Sequence, residues 1–382
     1  MGIVGAADDR MGIVGPDDRI AIGLACPALR TPDAVGVSGT LVARRLDLAA
    51  RVRMYRPKSI FEIMSRTVEE RFLLPPTEEG RLLILGVLAR ALWAYPLVQL
   101  YAFTFLSNHY HLLASALDGG TLARFIGYIN SNIAREMGRL HGWKGRFWDD
   151  RASVIEVVDD DAVVDRLRYV ISQGVKEGLV GHALDWTGAS STPALLGDMQ
   201  LEGIWVNRDR QTRAARRVNP PAPESFEEAL PVKLTPIPQW AHLAADELRA
   251  RHQALVDDVE ACAASIRTAP PLGMAAILAQ SPFARPIASK RSPPPPCHAS
   301  TEASRSAFRA TYRAFVGAFR AAANSIRDTA HKLFPGFPPH GFPRPLAFVP
   351  APAEPPRPGA RGCQWPSGSP PVTTTQPAAP SG

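Results

Sequence analysis

YAFTFLSNHYHLLASA, residues 101–116, decides how this chain is read. Two apolar runs flank the short Leu106-Ser107-Asn108 segment, which predicts strands over 97–105 and 110–116 joined by a tight turn. His109 and His111 then open the second strand. Alternate side chains of a strand share a face, so both imidazoles point one way and Tyr110 the other. Two polar rings in an apolar strand cost free energy unless something uses them, and a pair of neutral imidazoles is half of a metal site.

Working outward, 59–68 (SIFEIMSRTV) reads as a strand from its β-branched and aromatic content. The segment 77–95 (TEEGRLLILGVLARALWAY) carries an apolar stripe at helical spacing behind a Thr77 cap and first-turn acids, and Pro96 ends it. After the histidines, 119–142 predicts a helix capped by Thr121 with Leu122, Phe125, Ile126, Ile129 and Ile133 inward. RASVIEVV, 151–158, is a further strand, and Asp159, Asp160 and Asp161 start a helix expected to run to Gly174. Strand, helix, strand, strand, helix, strand, helix predicts an α+β fold in which an antiparallel sheet is flanked by helices.

The chain has 382 residues, ample for a catalytic core plus a smaller module. Only 8 of its 37 prolines precede Pro220, so a compact first half and a looser, Pro-rich second half are expected. A near-repeat, MGIVGAADDR then MGIVGPDDR, forms the leader. Helical patterns return over 239–266 and 301–334, separated by a proline run. The predicted division is a poorly ordered leader 1–50, a catalytic domain 51–190, a linker 191–238, an accessory helical region 239–335 and a disordered tail 336–382.

Net charge is +7 and the pI about 9.5, which favours a polyanionic partner, with nucleic acid foremost. Cys26, Cys262, Cys297 and Cys363 are far apart and form no CxxC pair, which supports neither a disulfide framework nor a zinc ribbon and fits a reduced cytoplasmic setting. No signal-peptide core opens the chain, and the apolar stretch 82–105 is broken by Arg90, Pro96 and Gln99, short of the ~20 clean residues of a membrane span. A soluble protein is expected.

Tyr169 follows the histidine pair by 58 residues, within RLRYVISQGVKEGLV, and Gln173 follows it by four. On a helix these two share a face. A phenol beside a metal site is a plausible covalent nucleophile toward a phosphoryl group. Tyr110 faces away from the histidines and Tyr128 lies inside the preceding helix, so both are poorer candidates; His141 and His182 are assigned no role. Tyr169 on an apolar helix face would otherwise be a core residue.

SNHYHLL, the helical tyrosine, RYVISQGVKEGLV and the following DWTG together resemble the single-tyrosine HUH transposases, in particular the REP-associated, IS200-like branch, over residues 51–188. HUH denotes His, hydrophobic residue, His. The resemblance implies a ferredoxin-like HUH nuclease fold, His109, His111 and Gln173 as metal ligands, and Tyr169 as the nucleophile that keeps a 5′-phosphotyrosine and releases a 3′ hydroxyl. It implies cleavage and rejoining of single-stranded DNA at hairpin or inverted-repeat ends, a divalent cofactor (Mg or Mn) and a homodimer. Imidazoles favour zinc-like ions, whereas phosphate chemistry favours magnesium or manganese, so the ion stays open. A rival reading is a domesticated, catalytically silent hairpin-binding protein; a relaxase-like or replication-initiator enzyme is more distant.

Arg135, Arg139, Lys144, Arg146 and Arg151 flank Trp143, Phe147 and Trp148, a mixture suited to phosphate contacts and base stacking. Trp148 with these five basic residues is the expected DNA-binding set. The arginines and aromatics of 305–327 make an amphipathic helix whose face could meet DNA or a partner.

Overall fold

The structure, a computed structural model, describes residues 52–197, 199–286 and 294–333. The expected leader 1–50 and tail 336–382 lie outside them.

Strand β1 (Ile60–Arg66) is followed by α1 (Glu78–Ala94), the hairpin β2 (Val98–Phe105) and β3 (His109–Ala116), α2 (Gly119–His141) and β4 (Ser153–Val157). The sheet order is β2-β3-β1-β4, and each neighbouring pair is antiparallel. This β-α-β-β-α-β arrangement is the ferredoxin-like one. A two-residue strand, β7 (Cys297–His298), adds to β4 in parallel.

Alternation along the strands divides the core in two. Phe61, Ile63, Tyr110, Leu112 and Ala114 face α1 and α2, while Ile60 and Leu113 face the other helical layer. β2 keeps to this scheme only through a bulge between Leu100 and Ala102. The extra residue resets the parity, so that Leu100 before it and Phe103 and Phe105 after it enter one core.

Helix α1 begins where Thr77 accepts a hydrogen bond from the Gly80 amide. The cap of α2 is Asp118 rather than Thr121: its carboxylate accepts both the Thr121 amide, at 2.8 Å, and the Thr121 hydroxyl, at 2.6 Å. The five residues predicted to face inward from α2 are all buried. Asp159 caps α3 (Asp160–Ile171), which ends earlier than expected; Ser172 separates it from the one-turn α4 (Gln173–Lys176).

The expected linker 191–238 is folded. It contains α5 (Thr192–Leu195), β5 (Glu202–Val206), α6 (Arg208–Ala214) and β6 (Glu227–Pro231), and β5 pairs with β6 against the outer side of α1. Leu201 and Val232 join the α1–α2 core. Nor do the later helices stand apart as an accessory region. α7 (Ala245–Ile266) places Val256, Val259 and Ala263 in the same core as Leu167, Val170 and Ile171 of α3. After α8 (Met274–Leu278) and β7, α9 (Glu302–Leu333) seats Phe308 and Phe315 against Met54 and Cys297.

Cys297 therefore reports on the docking of this last segment. Burial pushes its thiol up to about 11. In the folded protein at pH 8 it should resist iodoacetamide by at least about tenfold relative to the urea-unfolded chain, as read by peptide mass spectrometry, because the thiolate is the nucleophile. Equal labelling in both states would mean that β7 is not held.

Candidate functional site

His109 and His111 lie where β3 leaves its turn. In register, His109 faces Arg66 of β1, and His111 faces Met64 of β1 and Thr104 of β2. The turn is tied to the end of β1 through the Asn108 carbonyl, which accepts from the Thr67 amide at 2.9 Å and the Thr67 hydroxyl at 3.0 Å. The rings share a face as strand periodicity requires, 5.2 Å apart at 83°.

Each ring is oriented through its Nδ1. His109 Nδ1 is 2.7 Å from Asn108 Oδ1, and His111 Nδ1 is 2.8 Å from Glu62 Oε1. A carboxylate and an amide oxygen only accept, so both Nδ1 atoms donate, and in a neutral ring that leaves the lone pair on Nε2. Burial, reinforced by the neighbouring His111, Arg66 and Lys176 charges, holds His109 well below the ordinary histidine range.

Tyr169 comes from α3 on the same side of the sheet. Its ring meets His111 edge-on at 5.3 Å and 80°. Arg166 lies 4.5 Å and the Lys176 ammonium 4.3 Å from its centroid. Tyr169 is half-buried, whereas Leu167, Val170 and Ile171 around it are buried, so its ring is not spent on the core.

The break after α3 has a local cause. The Tyr169 carbonyl accepts from Ser172 Oγ at 2.8 Å and from Gln173 Nε2 at 2.9 Å, a competition typical of side chains that bend helices. Gln173 is 1% exposed, and with its amide nitrogen spent this way its Oε1 is a buried acceptor without a hydrogen-bond donor. Unpaired buried carbonyls are uncommon and costly. Neutral imidazole nitrogens and an amide oxygen are donor types that a divalent cation accepts. Among the described residues no group of three or more His, Cys, Asp or Glu side chains is placed to hold one, so such a site depends on Gln173.

The DWTG motif is structural. Trp186 is buried and donates its indole N–H to the Phe105 carbonyl at 3.0 Å, and Thr187 donates to the Pro76 carbonyl at 2.8 Å. Trp186 also lies against Gly174, which fastens α4 to the end of β2.

The basic aromatic segment reaches the same end of the sheet. The Asp149 amide donates to the carbonyl of Arg66, the strand partner of His109, at 2.9 Å. Arg135, Arg139, Lys144, Arg146 and Arg151 are exposed. Arg139 pairs with Glu136 at 2.8 Å, and Arg135 and Arg146 donate to the Ser131 and Trp148 carbonyls. Trp148 is half-buried, set edge-on to Tyr110 and Phe147, and gives its N–H to the Asn130 carbonyl.

Four residues at the site escaped the sequence reading: Arg166 and Lys176 against the Tyr169 ring, and Glu62 and His298 beside His111. Glu62, in the middle of β1, contacts His111, and His298 Nε2 lies 2.6 Å from Glu62 Oε2. A lone carboxylate inside an apolar strand was the available signal for Glu62. Nothing in CHAS, beyond a proline run, marks His298.

No family model matches the chain, and neither does any curated protein. Among solved structures it is similar to a REP-associated tyrosine transposase bound to a REP hairpin, at 15% identity and a TM-score of 0.33 over 38% of this chain and 85% of that one. It is also similar to a candidate transposase from Deinococcus radiodurans, at 18% identity and a TM-score of 0.24 over 32% of this chain and 97% of that one. Among the described residues no helix is long and apolar enough to cross a membrane.

Proposed function

We propose that this chain is a metal-dependent, single-tyrosine transposase that cleaves and rejoins single-stranded DNA at hairpin or inverted-repeat ends, acting as a homodimer. The observation that carries the reading is the edge contact of Tyr169 with His111, between elements 58 residues apart, with the orphaned Gln173 oxygen one turn on.

His109 and His111, through Nε2, and Gln173, through Oε1, would hold a magnesium or manganese ion. When bound, it would supply Lewis-acid polarisation of the scissile phosphate. The Tyr169 oxygen attacks phosphorus, giving up its proton as the new P–O bond forms. The bond from phosphorus to the 3′ oxygen breaks, and that oxygen takes a proton to leave as a 3′ hydroxyl. The 5′ side stays on Tyr169 as a phosphodiester, so a later 3′ hydroxyl can attack it and restore Tyr169 without external energy. Arg166 and Lys176, already against the phenol ring, offer positive charge beside the phosphate. The exposed arginines and Lys144 would follow the strand's backbone.

The test is incubation of the full chain with hairpin-bearing single strands and Mn²⁺, followed by denaturing electrophoresis. A DNA–protein adduct that needs the metal is expected. Binding without any adduct would favour the silent hairpin-binding protein. His109→Ala should lose cutting by at least about a hundredfold while hairpin affinity stays within about threefold, because phosphate contacts and stacking supply most of the binding. Undiminished cutting in that variant would dismiss His109 as a ligand.

A further inference from the structure

We infer that Glu62 and His298 are positioning residues for His111, and that the segment carrying His298 is part of the site, an inference that rests on His111 being a ligand. Glu62 projects from the central strand β1 and is 4% exposed, in a place where a carboxylate is costly unless each oxygen is satisfied. One oxygen, Oε1, accepts from His111 Nδ1 at 2.8 Å. The other, Oε2, lies 2.6 Å from His298 Nε2 and 3.7 Å from the Arg166 guanidinium.

A carboxylate on the far nitrogen of an imidazole fixes the tautomer, sets the ring plane and makes the near nitrogen a better donor to a cation. Glu62 stands in that relation to His111. His298 stands one step further out, where it restrains Oε2 and so the direction of Oε1. It comes from β7, which β4 holds by parallel pairing of Glu156 with Cys297 and Val157 with His298. The Val158 amide donates to the His298 carbonyl at 2.9 Å, and the Ser300 amide to the Asp159 cap of α3 at 3.0 Å. The same short segment therefore touches both the Glu62 carboxylate and the start of the tyrosine helix. Arg166 extends this link, meeting Glu62 on one side and the Tyr169 ring on the other.

The experiment uses the full chain labelled with ¹⁵N-histidine, with His111 assigned by substitution, and reads ring tautomers without metal or DNA. Mn²⁺ binding is then followed by electron paramagnetic resonance in wild type, Glu62→Gln and His298→Ala. His111 should carry its proton on Nδ1 in the wild type. Mn²⁺ affinity should fall about 10- to 100-fold in Glu62→Gln and several-fold in His298→Ala. An Nε2-protonated His111 in the wild type, or Mn²⁺ affinities unchanged in both folded variants, would overturn the inference. If the wild type takes up no Mn²⁺ yet shows Nδ1-protonated His111 that changes tautomer in Glu62→Ala, the positioning assignment stands and the metal reading fails. Should Glu62→Gln not fold, the wild-type tautomer and His298→Ala decide.

Discussion

Tyr169→Phe is expected to abolish covalent capture of single-stranded DNA, lowering cleavage by three orders of magnitude or more, as loss of a nucleophile does. The substitution removes one oxygen and leaves the ring, so the contacts with His111, Arg166 and Lys176 persist. Thermal stability should change by under about 0.5 kcal/mol, since Tyr169 is outside the buried core, and hairpin affinity should stay within about threefold. Substitution by a second tyrosine is not available. The Tyr110 hydroxyl is buried, donates to Asn130 Oδ1 at 2.6 Å, and is pushed far above its ordinary range by burial. Tyr128 stacks on Trp205, on the far side of the sheet. Cleavage by the Phe variant at the wild-type rate would remove Tyr169 from the chemistry.

Gly86→Val carries the largest expected stability loss. Gly86 of α1 and Gly203 of β5 are in backbone contact: a Cβ on Gly86 would overlap the Ile204 carbonyl, and one on Gly203 would overlap the Gly86 amide nitrogen. Neither obstacle is a side chain that could swing away. The helix and the β5–β6 hairpin must separate, at a cost of about 3 kcal/mol or more, which for a domain of this size lowers Tm by roughly 5–10 °C. Gly127→Ala in α2 is the control. A Cβ there meets nothing within 4 Å, and helix propensity favours alanine by about 1 kcal/mol. Calorimetry should show the two substitutions moving Tm in opposite directions; a neutral Gly86→Val would mean that the hairpin is not held on α1.

Period-two alternation made His109 and His111 readable as neighbours on one face, and four-residue spacing did the same for Tyr169 and Gln173. Both relations are local, fixed by backbone geometry alone. The inward residues of α2 were legible for the same reason, because five apolar positions recur at helical spacing. What escaped depends on distant partners. β5 and β6 are five residues each, β6 is largely exposed and β5 shows no strict alternation, and the glycine that lets β5 approach α1 looks like any loop glycine. Asp118 competes with Thr121 for the cap, and only three-dimensional placement shows the carboxylate accepting both threonine donors. The kink at Ser172 shortens the predicted helix because two side chains claim the Tyr169 carbonyl. His298 lies 187 positions after His111 and joins it only through Glu62 and a two-residue strand, a pairing no periodicity announces.

Peptide mapping of the wild-type protein after reaction with a hairpin-bearing single strand and Mn²⁺ tests the central claim most directly. The account predicts one nucleotide-bearing peptide, spanning Tyr169, with the phosphate on the phenol oxygen and a free 3′ hydroxyl on the released strand. A nucleotide on any other residue, or cleavage that leaves no protein-bound DNA, would contradict it.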